Sequence, residues 1–243
     1  MSSAPPPVPA AEPAANAIGR IVGALVSPGE TFASIARRPT WLAPLLLWIA
    51  VSIGVTLVLV PRMDWEKMTR ARLERGGQTA SSEQVQTAVE QGKKIGVPFS
   101  YVIAVVSPPV VALVTAVVIW GSFKAFGWDS TFKQAMGATT HAFLPGIVKA
   151  PFVMFLISRQ ESVDPQALGD LLRSNLGFLV ARDSSKVLHS ILASFDAFTL
   201  WSLALFVIGF AAAAKVKRGA AAGVIVTLWL ITVAIGAAWN AIF

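Results

Sequence analysis

The sequence contains no cysteine and only two histidines among its 243 residues. The absence of cysteine excludes disulfide frameworks, thiolate zinc sites and cysteine nucleophiles. Two histidines, His141 and His189, are too few for a histidine-rich metal site. Charged residues are also scarce, at 14% of the chain against about 25% in soluble domains. We therefore expect no metal and no cofactor. The low content of charged residues also argues against a water-soluble globular protein.

Apolar residues are abundant instead. Hydrophobic side chains make up 55% of the chain, and the mean hydropathy is +0.65. This composition predicts an integral membrane protein. The isoelectric point near 10.1 would suit a nucleic-acid partner if the basic residues lined one accessible face. They cluster in short gaps between long uncharged runs, so we expect no nucleic-acid binding.

Five apolar runs predict an all-α, polytopic membrane bundle of about five transmembrane helices. The first, Trp41 to Val60, has twenty residues without a charge, enough to cross about 30 Å of hydrocarbon. The others lie within Val97 to Phe123, at about Gln134 to Ser158, at about Ile191 to Ala214, and at Gly219 to Phe243. Four spans are the main alternative, because Lys149 lies inside the third run between two prolines.

Three regions divide the chain. Residues 1–16 are rich in proline and alanine and predict a disordered tail. Residues 17–40 form an amphipathic segment, in which Ser27-Pro28-Gly29-Glu30 predicts a capping box with proline at the first helical position. That segment either lies at the lipid headgroups or packs on the membrane domain, residues 41–243. In the first long loop, Asp64 caps a predicted helix from Trp65 to Arg75, and a separate helix is predicted from Ser82 to Gln91.

Basic residues in the short gaps predict the orientation. The membrane-surface basic residues are Arg37, Arg38, Lys215, Lys217 and Arg218. The side opposite the N-terminus has more Lys and Arg in total. Its two loops are long and also contain acidic residues, however, and such loops influence the orientation less. We therefore expect a cytoplasmic N-terminus and an external C-terminus, with anionic lipid near Arg37 and Arg38.

Three ionisable residues fall inside predicted spans: Lys149, Asp196 and His141. Counting along the third and fourth spans places Lys149 and Asp196 at similar heights, which predicts an ion pair or a water-bridged pair. Such a pair could fix the register of two helices. With His141, it could instead line a polar path for a proton or small anion. Lys149 reaching the outer headgroups and Asp196 capping a helix are further possibilities.

Three motifs carry a family resemblance. They are Leu25-Val26-Ser27-Pro28-Gly29-Glu30-Thr31-Phe32, then Thr131-Phe132-Lys133-Gln134 leading to Pro145, and Ser194-Phe195-Asp196-Ala197-Phe198 with Trp201 and Gly209. In this order they resemble the Ypt-interacting-protein (Yip) domain family, from about Leu25 to the C-terminus. The resemblance implies five spans, a cytoplasmic N-terminus and no catalytic residue. Eukaryotic members bind Rab-type GTPases, but this composition is typical of a bacterial protein, so no Rab partner is expected.

These observations predict a non-enzymatic protein of the bacterial cytoplasmic membrane. Its expected partners are the lipid bilayer first, and other proteins or further copies of itself second. The alternative is a small transporter or channel using Lys149, Asp196 and His141. An intramembrane hydrolase ranks third, because no nucleophile elbow or oxyanion turn surrounds His189 and the nearby serines.

Overall fold

The computed structural model describes residues 16–77, 81–164, 168–181 and 185–242. Within these ranges it contains eleven α-helices and no β-strand, which confirms the predicted all-α class. The proposed disordered tail lies outside the described residues, apart from Asn16. That residue caps the first helix, because its side-chain oxygen accepts a hydrogen bond from the Gly19 N–H at 2.7 Å.

The amphipathic segment forms two helices, α1 (Ala17–Val26) and α2 (Pro28–Arg37). Helix α2 begins at the predicted proline, but the predicted capping box is wrong, because the Ser27 side chain makes no cap hydrogen bond. Ser27 is the single residue between the helices, and its backbone N–H donates to the Gly23 carbonyl at the end of α1. Because Ser27 both ends α1 and begins α2, its backbone has φ −136° and ψ 61°. An N-cap residue usually has an extended backbone instead.

Five helical segments are long and apolar enough to cross a bilayer, as predicted. They comprise α3 (Leu42–Leu59) with the 3₁₀ turn that follows it, α5 (Ser82–Ala125), the pair α6 (Phe132–Ala142) and α7 (Leu144–Ser158), α10 (Ala197–Ala214) and α11 (Arg218–Ile242). The shorter helices are α4 (Trp65–Arg75), α8 (Leu168–Leu171) and α9 (Lys186–Ala193). Asp64 caps α4 as predicted, accepting from the Lys67 N–H at 2.9 Å.

The second span is longer than predicted. Helix α5 runs without interruption for 44 residues, so the prediction of a separate helix from Ser82 to Gln91 is wrong. Its length is about 66 Å, roughly twice the hydrocarbon thickness. Lys93 and Lys94 ended the apolar run in the sequence, but they are exposed on a helix that extends beyond the membrane and need not interrupt it.

The third and fourth spans also differ in detail. The third is interrupted at Phe143, and Pro145 lies in the first turn of α7, where a missing backbone donor costs little. The fourth begins at Ala197 and not at Ile191, because residues 194–196 separate it from α9. Asp196 therefore lies at the start of the span rather than five residues inside it.

The connections between the five spans lie on two opposite sides of the bundle. The N-terminal side carries α1, α2, the α5–α6 loop and the α10–α11 loop, and the cap side carries α4, α8 and α9. Two hydrogen bonds join the two long loops on the cap side: the Asp64 N–H donates to the Val163 carbonyl, and the Val163 N–H donates to the Arg62 carbonyl. An ion pair of 2.9 Å between Lys67 and Asp164 reinforces this connection.

Helix α2 packs into the bundle through two glycines. Phe32 and Ile35 are each 1% exposed and belong to the main core. A Cβ atom on Gly209 of α10 would lie 2.8 Å from the Phe32 ring, and one on Gly137 of α6 would lie 2.9 Å from Ile35 Cγ2. Only glycine permits these approaches without movement of a buried side chain, so α2 contacts α6 and α10 directly.

The first prediction concerns this packing. Gly209→Ala places a methyl group against the buried Phe32 ring and the Ala138 Cβ, which are 2.8 Å and 3.1 Å away. We expect the free energy of unfolding to fall by about 1–3 kcal/mol, the usual cost of overpacking. Thermal unfolding of the purified protein in detergent measures the change.

Gly121→Ala is the matched control, because a Cβ atom at this position of α5 meets nothing within 4 Å. Alanine at an open helical position favours the helix by up to about 1 kcal/mol. Equal midpoints for the two variants would contradict the proposed close contact.

Candidate functional site

Asp196 initiates the fourth span. Its Oδ1 accepts hydrogen bonds from the backbone N–H groups of Phe198 at 3.0 Å and Thr199 at 3.2 Å. These are two of the donors that the first turn of a helix leaves unpaired. The carboxylate also lies at the positive end of the helix dipole, which favours its charged form. Asp196 therefore caps α10, one of the alternatives that the sequence left open.

Lys149 reaches the same carboxylate from α7. Its Nζ lies 2.9 Å from Asp196 Oδ2, and the Ser174 hydroxyl donates to that same oxygen. The side chain of Asp196 is 6% exposed and that of Lys149 is 26% exposed. Lys149 Nζ also lies 5.8 Å from the centre of the Phe198 ring. The structure thus brings together two of the three intramembrane residues that the sequence singled out.

Several contacts decide the charge of Asp196, which stands one residue before the spanning helix. Burial raises the pKa of its carboxyl group. Hydrogen bonds from Ser174 and Lys149, the positive charge of Lys149 and the Thr199 backbone lower the pKa by more, so the net shift is below the ordinary value. Asp196 is therefore ionised at neutral pH, and acidification through this lowered pKa would remove its contribution to stability.

His141 does not take part in this arrangement. It is 1% exposed, its Nδ1 lies 2.8 Å from the Gly137 carbonyl oxygen, and its ring meets Phe32 edge-on at 6.4 Å. None of its described contacts joins it to Lys149 or Asp196. A polar path through all three residues stays a prediction, and the described contacts place His141 in the packing around α2.

A lateral cleft of about 630 Å³ opens beside the ion pair, between α5, α7, α10 and α11. Lys149 and Asp196 lie in its wall, and most of the remaining lining is aliphatic or aromatic. Four hydroxyl-bearing residues also line it: Thr115, Thr199, Ser202 and Thr232. In the part of the chain that the structure describes, no three His, Cys, Asp or Glu side chains are arranged to hold a metal ion. The cleft has the size and character of a site for an apolar or amphiphilic molecule.

Five exposed basic residues lie on the N-terminal side, and we call them the basic surface: Arg37, Arg38, Lys215, Lys217 and Arg218. Lys215 ends α10 in the left-handed conformation with φ 55°. The Arg218 guanidinium lies 3.3 Å from the position of a Cβ atom built on Gly29, which brings the α10–α11 loop next to α2. None of the five forms an ion pair with another residue that the structure describes.

Sequence reasoning missed a buried arginine. Arg20 of α1 is 4% exposed, and its Nη1 donates to the Arg38 carbonyl at 2.7 Å and to Thr40 Oγ1 at 2.9 Å. It therefore connects α1 to the segment between α2 and α3. A signal was available, since Arg20 is the one charged residue in an otherwise apolar helix.

The motifs behind the family resemblance meet in space. Thr131 and Gln134 form a capping box at the start of α6, and Gln134 Nε2 donates to the Ala36 carbonyl of α2 at 2.8 Å. The first motif supplies Phe32, which packs on Gly209 of the third. The three motifs thus share a structural role, the seating of α2 against α6 and α10.

Comparison with known proteins agrees with this resemblance. The family model of the Yip1 domain matches residues 22–240 of the chain. The membrane protein YknW of Bacillus subtilis (strain 168) is 22% identical over 189 residues, which cover 78% of this chain and 76% of that protein. No solved structure matches the chain significantly. The family resemblance expected from the sequence is confirmed.

The second prediction tests the ion pair by a double-mutant cycle. Lys149→Met leaves the buried carboxylate without its cation, and Asp196→Asn leaves the cation without its carboxylate. We expect the double variant to be more stable than the sum of the two single losses predicts, by about 1 kcal/mol. Thermal unfolding in detergent measures all four proteins.

The exposed Lys124–Asp129 pair serves as the control, with Lys124→Met and Asp129→Asn. Solvent screens this pair, so its two substitutions should be additive. Additive losses at Lys149 and Asp196 as well would show that their proximity has no energetic consequence.

Proposed function

Because this chain belongs to the Yip1 domain family, whose members are multi-pass helical membrane proteins, we propose that it is a non-enzymatic organiser of its membrane. It acts by holding lipid or protein partners at its N-terminal side. The bilayer is the first partner, and other proteins or further copies of the chain are the second. Nucleic acid is not among them.

The observation that carries this proposal is the combination of charge and apolar exposure on the N-terminal side. The basic surface presents five cations without described ion-pair partners. Beside it, α1 exposes Ile18, Val22 and Val26, which are spaced four residues apart and therefore share one helical face. A helix with an exposed apolar face next to basic residues is suited to the boundary between headgroups and acyl chains.

The contacts of Asp196 and His141 support a non-enzymatic role. Asp196 is occupied by the cap of α10, by Ser174 and by Lys149. His141 is enclosed by α2 and its own helix. Groups held in this way fix helix positions and offer no activated nucleophile. The transport alternative would need a polar connection between His141 and the Lys149–Asp196 pair, and none of the described contacts of His141 provides one.

The orientation belongs to the same proposal. Short loops rich in Lys and Arg remain in the cytoplasm, and the N-terminal side carries such loops. We propose that the N-terminal side is cytoplasmic and the cap side external. The long loops of the cap side carry acidic as well as basic residues and influence orientation less.

The third prediction tests this orientation. Single cysteines can be introduced into the cysteine-free chain at exposed positions on the two sides, as Glu74→Cys and Lys217→Cys. We expect a membrane-impermeant maleimide to label position 74 in intact cells and position 217 only after permeabilisation. Labelling of position 217 in intact cells, with position 74 labelled only after permeabilisation, would contradict the proposed orientation. Arg20 is unsuitable for this purpose because it is buried.

The fourth prediction tests the basic surface. Replacing its five residues with Gln removes the cations while leaving the buried contacts of α2 in place. We expect crosslinking in native membranes to capture several-fold less anionic lipid or partner protein than the wild type does, because each basic residue near an anionic surface contributes about 1 kcal/mol.

The control replaces exposed basic residues of the cap side, Arg72, Lys93 and Lys94, with Gln. Cysteine labelling must first show that both variants keep the wild-type orientation. Unchanged capture by the five-residue variant, or an equal loss in the control, would contradict the proposal.

A further inference from the structure

A short 3₁₀ turn on the cap side exposes several apolar side chains. It runs from Leu176 to Leu179, between α8 and α9, and we call it the apolar turn. Leu176, Phe178 and Leu179 are 41%, 57% and 63% exposed, whereas Gly177 is buried. Asn175 fixes the start of the turn, because its side-chain oxygen accepts from the Gly177 N–H at 2.8 Å. The apolar turn is thus an ordered element whose side chains face outward.

The apolar turn is attached to the start of the fourth span. The Ala197 N–H donates to the Ser174 carbonyl at 2.9 Å, and Asn175 forms an antiparallel bridge with Asp196. Helix α10 has 18 residues and is therefore about 27 Å long, close to the hydrocarbon thickness of about 30 Å. Its other end is next to Lys215, and a lysine at the end of a span lies at the headgroups. The apolar turn therefore lies at the opposite boundary of the hydrocarbon.

Helix α9 gives a second measure of this height. A Cβ atom built on Gly177 would lie 3.2 Å from the Ala193 Cβ, so the apolar turn packs on α9. Helix α9 in turn packs on α11, where Asn240 Nδ2 lies 3.3 Å from Ser190 Oγ. Asn240 is about 33 Å along α11 from its first residue, Arg218. Both spans therefore place α9 and the apolar turn where acyl chains meet headgroups.

Other side chains at this height are also typical of the membrane boundary. Trp239, the neighbour of Asn240, is 64% exposed, and tryptophan is enriched at this boundary. Leu188 of α9 is exposed as well. Leu200, in the first turn of α10, is exposed on the surface of a span. Apolar exposure therefore continues from the spans to the cap-side elements attached to them.

The height of the apolar turn favours lipid as the molecule that covers it. Exposed leucine and phenylalanine side chains gain free energy when they leave water for a hydrocarbon environment. At the boundary of the bilayer, acyl chains are within reach of such side chains without any protein partner. A partner protein would have to displace lipid in order to reach the same surface.

We propose that the apolar turn inserts Leu176, Phe178 and Leu179 among the acyl chains of the leaflet on the cap side. It is an interfacial anchor of the segment that carries Ser174, whose hydroxyl donates to Asp196. The anchor therefore fixes the depth of the cap-side segment next to the start of α10. This inference concerns the opposite side of the molecule from the proposed function, and it holds whichever compartment the cap side faces.

The fifth prediction tests the insertion with spin labels. The chain contains no cysteine, so Phe178→Cys and Leu179→Cys each provide a single site for a nitroxide. The full chain is reconstituted into vesicles of phosphatidylglycerol and phosphatidylcholine. Oxygen concentrates in hydrocarbon, whereas a water-soluble nickel chelate is excluded from it. We expect collisions of both labels with oxygen to exceed collisions with the chelate several-fold, as measured by power saturation of the electron paramagnetic resonance signal.

Two further sites provide the standards. Leu230→Cys places a label at a half-exposed position in the middle of α11, where it reports hydrocarbon. Glu74→Cys places a label at an exposed position of α4 on the cap side, where it reports water. Labels at positions 178 and 179 should resemble the label at 230. If they resemble the label at 74 instead, the apolar turn is in water and the proposal fails.

A protein cover would give a different result. A second copy of the chain, or another protein, would shield the labels at positions 178 and 179 from oxygen and from the chelate alike. Low collision rates with both reagents would therefore also overturn the proposal.

A phosphatidylcholine with a photoreactive acyl chain provides a second measurement, made on the wild type. Crosslinks to the peptide that contains residues 176–179 support the proposal, whether or not the cysteine variants fold well. Crosslinks to peptides of α11 without any to residues 176–179 overturn it.

Discussion

The packing of α2 against two glycines is the contact on which the rest of the arrangement depends. The Phe32 ring packs on Gly209 and the Ile35 side chain packs on Gly137, so no side chain of α10 or α6 separates them from the backbone at these two positions. This approach allows Gln134 to donate to the Ala36 carbonyl, and it encloses His141 beside Phe32. Because the Phe32 and Ile35 side chains lie against the backbones of α10 and α6 at these glycines, a Cβ atom added at either position would displace buried atoms.

The bilayer explains how the remaining polar groups are arranged. A hydrocarbon environment supplies no hydrogen-bond partners, so each polar group must find one within the protein or reach the interface. Asp196 meets this requirement by capping α10 while it accepts from Ser174 and faces Lys149. The Asp196 carboxylate thus caps a helix, neutralises Lys149 and, through Ser174, joins a cap-side loop to the bundle.

The molecule presents different chemistry on its two sides. The N-terminal side carries five exposed cations and an apolar stripe on α1, which suits contact with a membrane surface or with partners there. The cap side carries mixed charges and a polar cavity of about 550 Å³ lined by Arg75, Asp170 and His189.

The sequence alone determined the helical membrane class, the number of spans and the family, because apolar runs and short motifs are local properties of the chain. It also predicted similar heights for Lys149 and Asp196 from the constant rise of a helix, although that count began the fourth span at Ile191 and the helix begins at Ala197. Whether an element continues beyond the membrane was not predictable. Helix α5 passes Lys93 and Lys94, and α10 starts only at Ala197, because helix ends depend on caps and contacts as well as on hydropathy. The burial of Arg20, the enclosure of His141 by Phe32 and the lateral cleft beside Lys149 and Asp196 were decided by tertiary structure alone. Each of them needs helices distant in sequence to pack at a particular rotation and distance.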